Sequence, residues 1–476
     1  MPTTIKFGTD GWRALIAEDY TFANVRLCAQ GVANYLRARG TAPNGLVIGY
    51  DTRFNSEHFA AAVAEVLAGN GIKAYLCVEP MPTPGISFNI LEQKAAGAAI
   101  ITASHNSGLW NGFKYKPEYA GSASPEVIGA IEAEITKIEG SPDAVKRLAL
   151  AEGRRQGLVQ DLDGRPAYLD QLRKLVDVNA LKGAGFTIVA DAMFGAGRGY
   201  FEELLGGGST KIVGIHQDRN PLFPGFDRPE PIAENLGPLM AAVPANNAHA
   251  GLATDGDADR IGVVDEKGGF VNQLITFGLL ALYLLRERGW RGPLVKSLST
   301  SSMIDRLGEK YGVPVHETAV GFKYIGPKML ETDAIIGGEE SGGFGFKGHI
   351  PERDGVLAGL FILDFMVRQN RPLSGLVADL FSEVGAHYYR RIDYTFDQAR
   401  RGEMIERVRA NTPSEIAGDR VATTRTEDGF KFTTLDGSWL LIRFSGTEPV
   451  LRVYTETPKE SKVEPILAAG RELVGL

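Results

Sequence analysis

Hydrophobic and polar positions change period repeatedly along this chain. Val25, Cys28, Ala29, Val32 and Leu36 recur at helical spacing, and the unbroken apolar run Leu46–Tyr50 follows as a buried strand. Residues 60–68 read as helix, 72–78 as strand and 98–102 as strand again. Strands alternating with helices predict βαβ units on a mainly parallel sheet. The pattern restarts after a polar, Gly-containing stretch at 151–164, with strands at 186–190, Lys211–Ile215 and 251–254. It restarts again after Lys267-Gly268-Gly269. There an apolar helix at 274–286 leads to the strand Leu294–Ser297, a helix at 302–310, the segment 313–316 and a strand at 334–336. Residues 385–476 differ. Residues 388–394 alternate, 398–408 look helical, 438–444 and 451–455 are strands flanking a turn, and a helix at 463–473 follows.

The predicted fold class is therefore α/β: three similar α/β domains with mainly parallel sheets and one smaller α+β domain. The boundaries are predicted as 1–158, 159–268, 269–384 and 385–476. A length of 476 residues accommodates them at about 100–200 residues per domain. With 51 Lys and Arg against 58 Asp and Glu the net charge is −7, and no basic stripe stands out, which argues against nucleic acid as a partner. An anionic ligand must then be met by a few local cations or a metal. The two cysteines, Cys28 and Cys77, fall on apolar stretches and are expected to be buried free thiols. Residues 1–6 show no signal-peptide core, and the longest greasy stretch, 274–285, is too short to span a bilayer. A cytoplasmic protein is the expectation, with no membrane partner.

Ligands of open α/β sheets bind beyond the carboxyl ends of the strands. After 98–102 come Ser104, His105 and Asn106, then Asn111-Gly112 and Lys114. A Ser just past a buried strand is placed for attack, and His105 and Lys114 are suited to move protons or meet negative charge. After 251–254 come Asp255, Asp257 and Asp259, alternating on a non-helical loop that ends in Arg260. Three such carboxylates repel one another unless a hard cation such as Mg²⁺ or Ca²⁺ sits between them. An EF-hand is excluded, because Arg260 stands where that loop needs Gly and 261–264 read as strand. After 334–336 comes a Gly-rich loop with Glu339, Glu340 and Ser341, suited to paired hydroxyls. Between the last two strands, Arg443, Ser445, Gly446 and Thr447 combine a guanidinium, two hydroxyls and a Gly-permitted nest, which is phosphate-binding chemistry. Arg13 is the cation of the Phe7–Arg13 segment that precedes the first helix.

The ordered set GTDGWR (8–13), TASHN (102–106), DGDADR (255–260), GEES (338–341) and RFSGTEP (443–449) resembles the α-D-phosphohexomutase family over the whole chain. The resemblance implies four domains around a central cleft, carrying in turn a phosphoserine, a metal-binding, a sugar-binding and a phosphate-binding loop. It implies Ser104 as the phosphorylated nucleophile and a further Mg²⁺ ligand beside Asp255, Asp257 and Asp259. Glu339 and Ser341 would meet sugar hydroxyls, and Arg443, Ser445, Gly446 and Thr447 the substrate phosphate. Arg13, His105, Lys114 and Arg260 match site positions. Lys296 and the Gly321-Phe322-Lys323 turn resemble phosphosugar-contacting segments of the third domain. His105, Lys114 and Lys296 all stand as candidates for general acid/base. A hinge near 382–387 would let the fourth domain close.

The sequence departs from the family at Ser107, where Pro is usual, at Ala258, where Gly is common, and at Gly342-Gly343, where mannose-type and glucosamine-type loops continue Gly-His. Glu340 resembles the glucose-type loop. The expected reaction is interconversion of glucose 1-phosphate and glucose 6-phosphate, with glucose 1,6-bisphosphate as intermediate and activator. Mannose and glucosamine phosphates are the alternatives.

Overall fold

A computed structural model of the chain describes residues 5–8, 10–445 and 449–476. Its first sheet has six strands in the order Trp12–Leu15, Trp110–Pro117, Gly97–Ile101, Leu46–Tyr50, Ala74–Cys77 and Val159–Leu162. The last four are parallel, and the first two are antiparallel to their neighbours. The second sheet runs Phe270–Val271, Ile261–Asp265, Ala250–Thr254, Thr187–Asp191 and Lys211–Ile215, and its last three strands are parallel. The third runs Val315–Thr318, Leu294–Ser297, Ile336–Gly338 and Phe344–Phe346, with only Phe344–Phe346 antiparallel. The fourth sheet has six antiparallel strands, from Tyr388–Thr395 to Glu415–Ile416.

One plan thus repeats three times. A buried parallel strand ends, and the chain turns back as an antiparallel neighbour. The turns are 102–109, 255–260 and 339–343. In the fourth sheet 445–449 joins Trp439–Phe444 to Val450–Thr457. The serine, metal and sugar motifs picked out in the sequence sit at these three turns, which is also why the first three sheets are mixed. Two boundaries move. Val159–Leu162 is the edge strand of the first sheet, beyond 158, and Phe270–Val271 belongs to the second, beyond 268.

Local chemistry explains the elements. Helix Phe22–Ala38 starts where the Thr21 hydroxyl accepts from Asn24 N at 3.3 Å, and Val25, Cys28, Ala29, Val32 and Leu36 are all fully buried. Strand Leu46–Tyr50 is buried along its length, flanked on both sides by parallel partners. At Gly49 a Cβ would lie 2.4 Å from Ile86, so helix Thr83–Gln93 packs directly on the backbone. Both cysteines are buried and free. The 274–286 helix is Gln273–Leu282, closed by a π turn over Tyr283–Glu287. Among the described residues no helix is long and apolar enough to cross a membrane. One continuous apolar cluster runs through the first three units. The fourth has its own around Met404, Phe432 and Leu451, joined to the third by the small cluster Leu298, Trp439, Leu441 and Tyr454.

Candidate active site

Ser104 follows Gly97–Ile101 with φ at +50°, a left-handed conformation costing a non-glycine residue about 1–3 kcal/mol. Its surroundings fix it there. Its N–H donates to Thr102 Oγ1 at 2.9 Å, and its carbonyl accepts from Arg53 Nη2 at 2.5 Å. The metal loop passes so close that a Cβ at Gly256 would lie 2.4 Å from the Ser104 carbonyl oxygen. Ser104 is buried, its Oγ donates to Asp255 Oδ2 at 2.9 Å, and it lies 3.4 Å from His105 Nδ1. Burial and the nearby Arg260 and Arg13 hold the His105 imidazole well below its usual range, in the neutral form. Arg13 Nη1 donates to Asn106 Oδ1 at 2.6 Å, bracing the same turn.

Asp255, Asp257 and Asp259 are fully buried, with ligand oxygens within 4.8 Å of one another. Burial and mutual repulsion push Asp255 well above the usual carboxylate range. Burial also raises Asp259, partly offset by Arg353. Burial would raise Asp257 too, but Lys114 and the Thr83 hydroxyl outweigh it and hold Asp257 below that range. Asp257 Oδ1 and Asp259 Oδ1 have no hydrogen-bond partner, while Asp259 Oδ2 is ion-paired with Arg353. Buried carboxylate oxygens without partners, aimed into one cluster, fit a hard divalent cation.

Lys114 is on the antiparallel strand Trp110–Pro117 and reaches across the domain junction. Its Nζ lies 2.8 Å from both Asp257 Oδ2 and Asp10 Oδ2, and 3.6 Å from Asp259 Oδ2. Despite burial, these carboxylates raise its pKa, so it stays an ammonium. Arg353 completes the junction: Nη2 is 2.7 Å from Asp10 Oδ2 and 2.8 Å from Asp259 Oδ2, and Nη1 is 3.5 Å from Glu339 Oε2. Lys116 is fully buried between Asp10 and Glu352.

Sequence reasoning passed over Asp10, Asp51, Arg53, Lys116, Glu352 and Arg353. A signal existed for Asp51 and Arg53, which directly follow the apolar strand Leu46–Tyr50. Asp10 lies within the quoted GTDGWR segment. Glu352 and Arg353 precede helix Gly355–Gln369, which is apolar all round and has no period to find.

The other expected residues divide. Arg260 is buried and paired with Glu230, and its Nε makes no hydrogen bond. Glu339 is buried, and burial raises its pKa against the pull of Arg353. Ser341 is half-buried on the same turn. Glu340 faces the fourth unit, accepting from Tyr389 Oη at 3.1 Å and Arg391 Nη1 at 3.0 Å. Lys323 is in the first turn of helix Phe322–Thr332, its ammonium 5.3 Å from the Tyr324 ring. Arg443 donates from Nε to Asp428 Oδ1 at 3.1 Å, and Asp428 also accepts from Val320 N of the third unit at 2.9 Å. Ser445 N donates to Val450 O at 2.8 Å. Gly446 and Thr447 lie outside the described residues.

Lys296 is placed elsewhere than expected. Its Nζ bonds Asp305 Oδ2 at 2.5 Å and the Ser301 carbonyl at 3.3 Å, and lies 3.5 Å from Glu317. It lines a cavity of about 310 Å³ between the third and fourth units, together with Lys431 and Trp439. Trp439 opens the strand whose far end is Phe444, so the cavity is roughly 20 Å along that strand from the phosphate loop. No contact among the described residues carries Lys296 to Ser104 or the three aspartates.

Family models match nearly the whole chain. They are phosphoglucomutase/phosphomannomutase alpha/beta/alpha domain I over residues 4–141, domain II over 166–269, domain III over 273–384 and the C-terminal domain over 397–472. A Thermococcus kodakarensis protein named phosphoglucomutase/phosphomannomutase is 31% identical, covering 98% of each chain. A Pyrococcus abyssi protein named for phosphoglucosamine mutase is 29% identical over 98% of this chain and 97% of its own. A solved structure from Thermus thermophilus, named for phosphomannomutase, superposes with a TM-score of 0.85 at 36% identity and full coverage of both chains.

Proposed function

The chain belongs to the phosphoglucomutase/phosphomannomutase family, and from that premise we propose that it interconverts glucose 1-phosphate and glucose 6-phosphate through phospho-Ser104. The observation that carries the reading is the buried Ser104 Oγ, bonded across a domain junction to Asp255 and 3.4 Å from His105. Phospho-Ser104 gives its phosphoryl group to the free hydroxyl of the bound hexose phosphate. The Ser–O–P bond breaks as the sugar–O–P bond forms, and neutral His105, 3.4 Å from Ser104 Oγ, relays the sugar hydroxyl proton to the Ser104 oxygen left behind. The resulting glucose 1,6-bisphosphate turns over within the cleft and returns its other phosphate to Ser104; added bisphosphate primes the enzyme. Asp255, Asp257 and Asp259 would hold Mg²⁺, which supplies neutralisation of phosphoryl charge when bound. Lys114 keeps the metal loop against the first unit. Arg13 and Arg260 supply positive charge around the serine loop. Lys323, Glu339 and Ser341 meet the sugar, and Arg443 to Thr447 hold the phosphate that is not reacting.

The choice of glucose rests on the loop Gly338-Glu339-Glu340-Ser341. A second reading is favoured by one observation: Glu340 is occupied by Tyr389 and Arg391, which leaves Glu339 and Ser341 to face hydroxyls and lets mannose phosphates compete. Coupled assays across glucose, mannose, glucosamine and N-acetylglucosamine 1-phosphates, with a trace of the bisphosphate, decide. The highest kcat/KM is expected for glucose 1-phosphate. A higher value for glucosamine 1-phosphate overturns the assignment, and mannose at or above glucose establishes the second reading.

A further inference from the structure

Beneath the serine loop lies a fully buried arginine with every donor in use. Arg53 Nε donates to Asp51 Oδ2 at 3.1 Å. Nη1 donates to the carbonyls of Ser107 at 2.7 Å and Trp110 at 3.0 Å. Nη2 donates to those of Ser104 at 2.5 Å and Asn106 at 2.6 Å. A guanidinium has five N–H bonds, and these are five acceptors. Asp51 is itself fixed, accepting from Thr102 Oγ1 at 2.6 Å, Ser56 Oγ at 3.1 Å and Arg53 N at 3.0 Å. The second unit closes the arrangement. The Phe223 ring lies 4.9 Å from the guanidinium, and Arg219 donates to the carbonyls of Thr52 and Arg53.

A trans peptide unit is planar, with its C=O and N–H pointing in opposite directions. Carbonyls 104, 106 and 107 point down at Arg53, so N–H groups 105, 107 and 108 point away from it. None of these three donates to an acceptor among the described residues, whereas Asn106 N is taken by the Ala103 carbonyl. Free N–H groups gathered on one side of a turn form an anion-binding concavity.

We propose that Arg53, held by Asp51, is a positioning residue that turns the backbone N–H groups of His105, Ser107 and Gly108 outward as donors to phosphoryl oxygens carried on Ser104. The proposal rests on the phosphoserine reading above. It gives meaning to Ser107: the Pro usual there in the family has no N–H, so this chain presents a donor that such relatives lack. Arg53 supplies no bond to the substrate. It fixes the direction of peptide dipoles before charge develops on the transferring group.

The test uses the full-length enzyme treated with glucose 1,6-bisphosphate, with phosphate on the Ser104 peptide verified by mass spectrometry. Hydrogen exchange at amides 105, 107 and 108 should slow about tenfold or more on phosphorylation, as expected for charge-assisted bonds. Ser107→Pro removes the N–H, while Ser107→Ala keeps it and removes only the hydroxyl. Single-turnover transfer in Ser107→Pro should be about tenfold slower than in Ser107→Ala, at the same KM. Arg53→Lys keeps the charge and loses the fork. It should lower kcat without moving KM and abolish the exchange protection; should it fail to fold, the Ser107 pair decides alone. Unchanged exchange on a verified phosphoserine, or equal transfer rates in the two Ser107 variants, overturns the proposal. If no phosphate ever appears on Ser104, the phosphoserine reading itself falls, and the donor set falls with it.

Discussion

Ser104 shows how much one residue depends on its neighbours. A serine hydroxyl is a weak nucleophile, and this one is buried in a strained backbone conformation against a carboxylate of another domain. Ser104→Ala should abolish mutase turnover with no loss of folded structure by circular dichroism. The parent, but not the variant, should yield a singly phosphorylated peptide spanning residue 104. Wild-type turnover in the alanine variant would remove the assignment. Arg443 is the second residue-scale case. A phosphate dianion entering a protein of charge −7 beside three aspartates needs local donors. Asp428 already orients the Arg443 fork. Arg443→Ala should raise KM for glucose 1-phosphate about tenfold, the value of a charge-assisted pair, and also lower kcat. Arg443→Lys should recover little, since Lys lacks the planar fork. KM and kcat both within twofold of wild type would reduce this segment to a plain turn.

Among elements, the hairpin turn at the end of a buried strand is the unit that gathers the polar side chains of the proposed site. The metal turn is the most demanding, because Ala250–Thr254 and Ile261–Asp265 hold three carboxylates together with a single lysine bonded to one of them. Asp257→Asn removes one hard ligand and the partner of Lys114 in the same step. Calorimetric titration with Mg²⁺ should show at least tenfold weaker binding than wild type, with most of kcat lost. EDTA should silence the wild-type enzyme reversibly; activity that survives chelation contradicts a metal role for this turn. The serine turn is built differently, with its carbonyls gathered by Arg53 rather than its side chains by a metal.

Across the whole molecule the first three units share one apolar cluster, while the fourth is joined to the third by a small apolar cluster and by several polar ties. Glu456 is the most buried of these ties, accepting from Ser302 N at 2.8 Å and bonding His387 Nδ1 at 3.1 Å. Burial works to raise its pKa, but His387 and the Ser301 and Ser302 hydroxyls outweigh that and lower it from 4.5 to about 2. A carboxylate depressed in the folded state contributes stability above its unfolded pKa and loses it as pH falls through the folded one. The contribution, up to about 3 kcal/mol, should therefore be complete above pH 4.5 and lost toward pH 2. Glu456→Gln should unfold more easily at about pH 7, and its stability should fall less between about pH 5 and 3 than that of the parent. Parallel pH curves for the two proteins in denaturant titrations would show that this tie carries no such linkage.

The runs Leu46–Tyr50 and Leu294–Ser297 stand in the structure at the residues predicted, because a strand buried on both faces is apolar along most of its length. Ser104, the three aspartates and Glu339 were legible for a related reason: each closely follows such a run, and chemistry at a strand's end needs only local sequence to be seen. Lys114 lies on a strand whose pairing partner decides where its side chain reaches. Arg53 and Arg353 each reach a partner far along the chain, the Ser104 carbonyl 51 residues from Arg53 and Asp10 343 residues from Arg353. Lys296 sits on a correctly predicted strand and faces the junction with the fourth unit, not the turns that carry Ser104 and the three aspartates. The sequence by itself determined the strands, the turns and the chemical kind of each site residue, since period and composition act within a few residues. Only the tertiary structure decided which charges meet, because an ion pair across a domain junction depends on distances that no local pattern encodes.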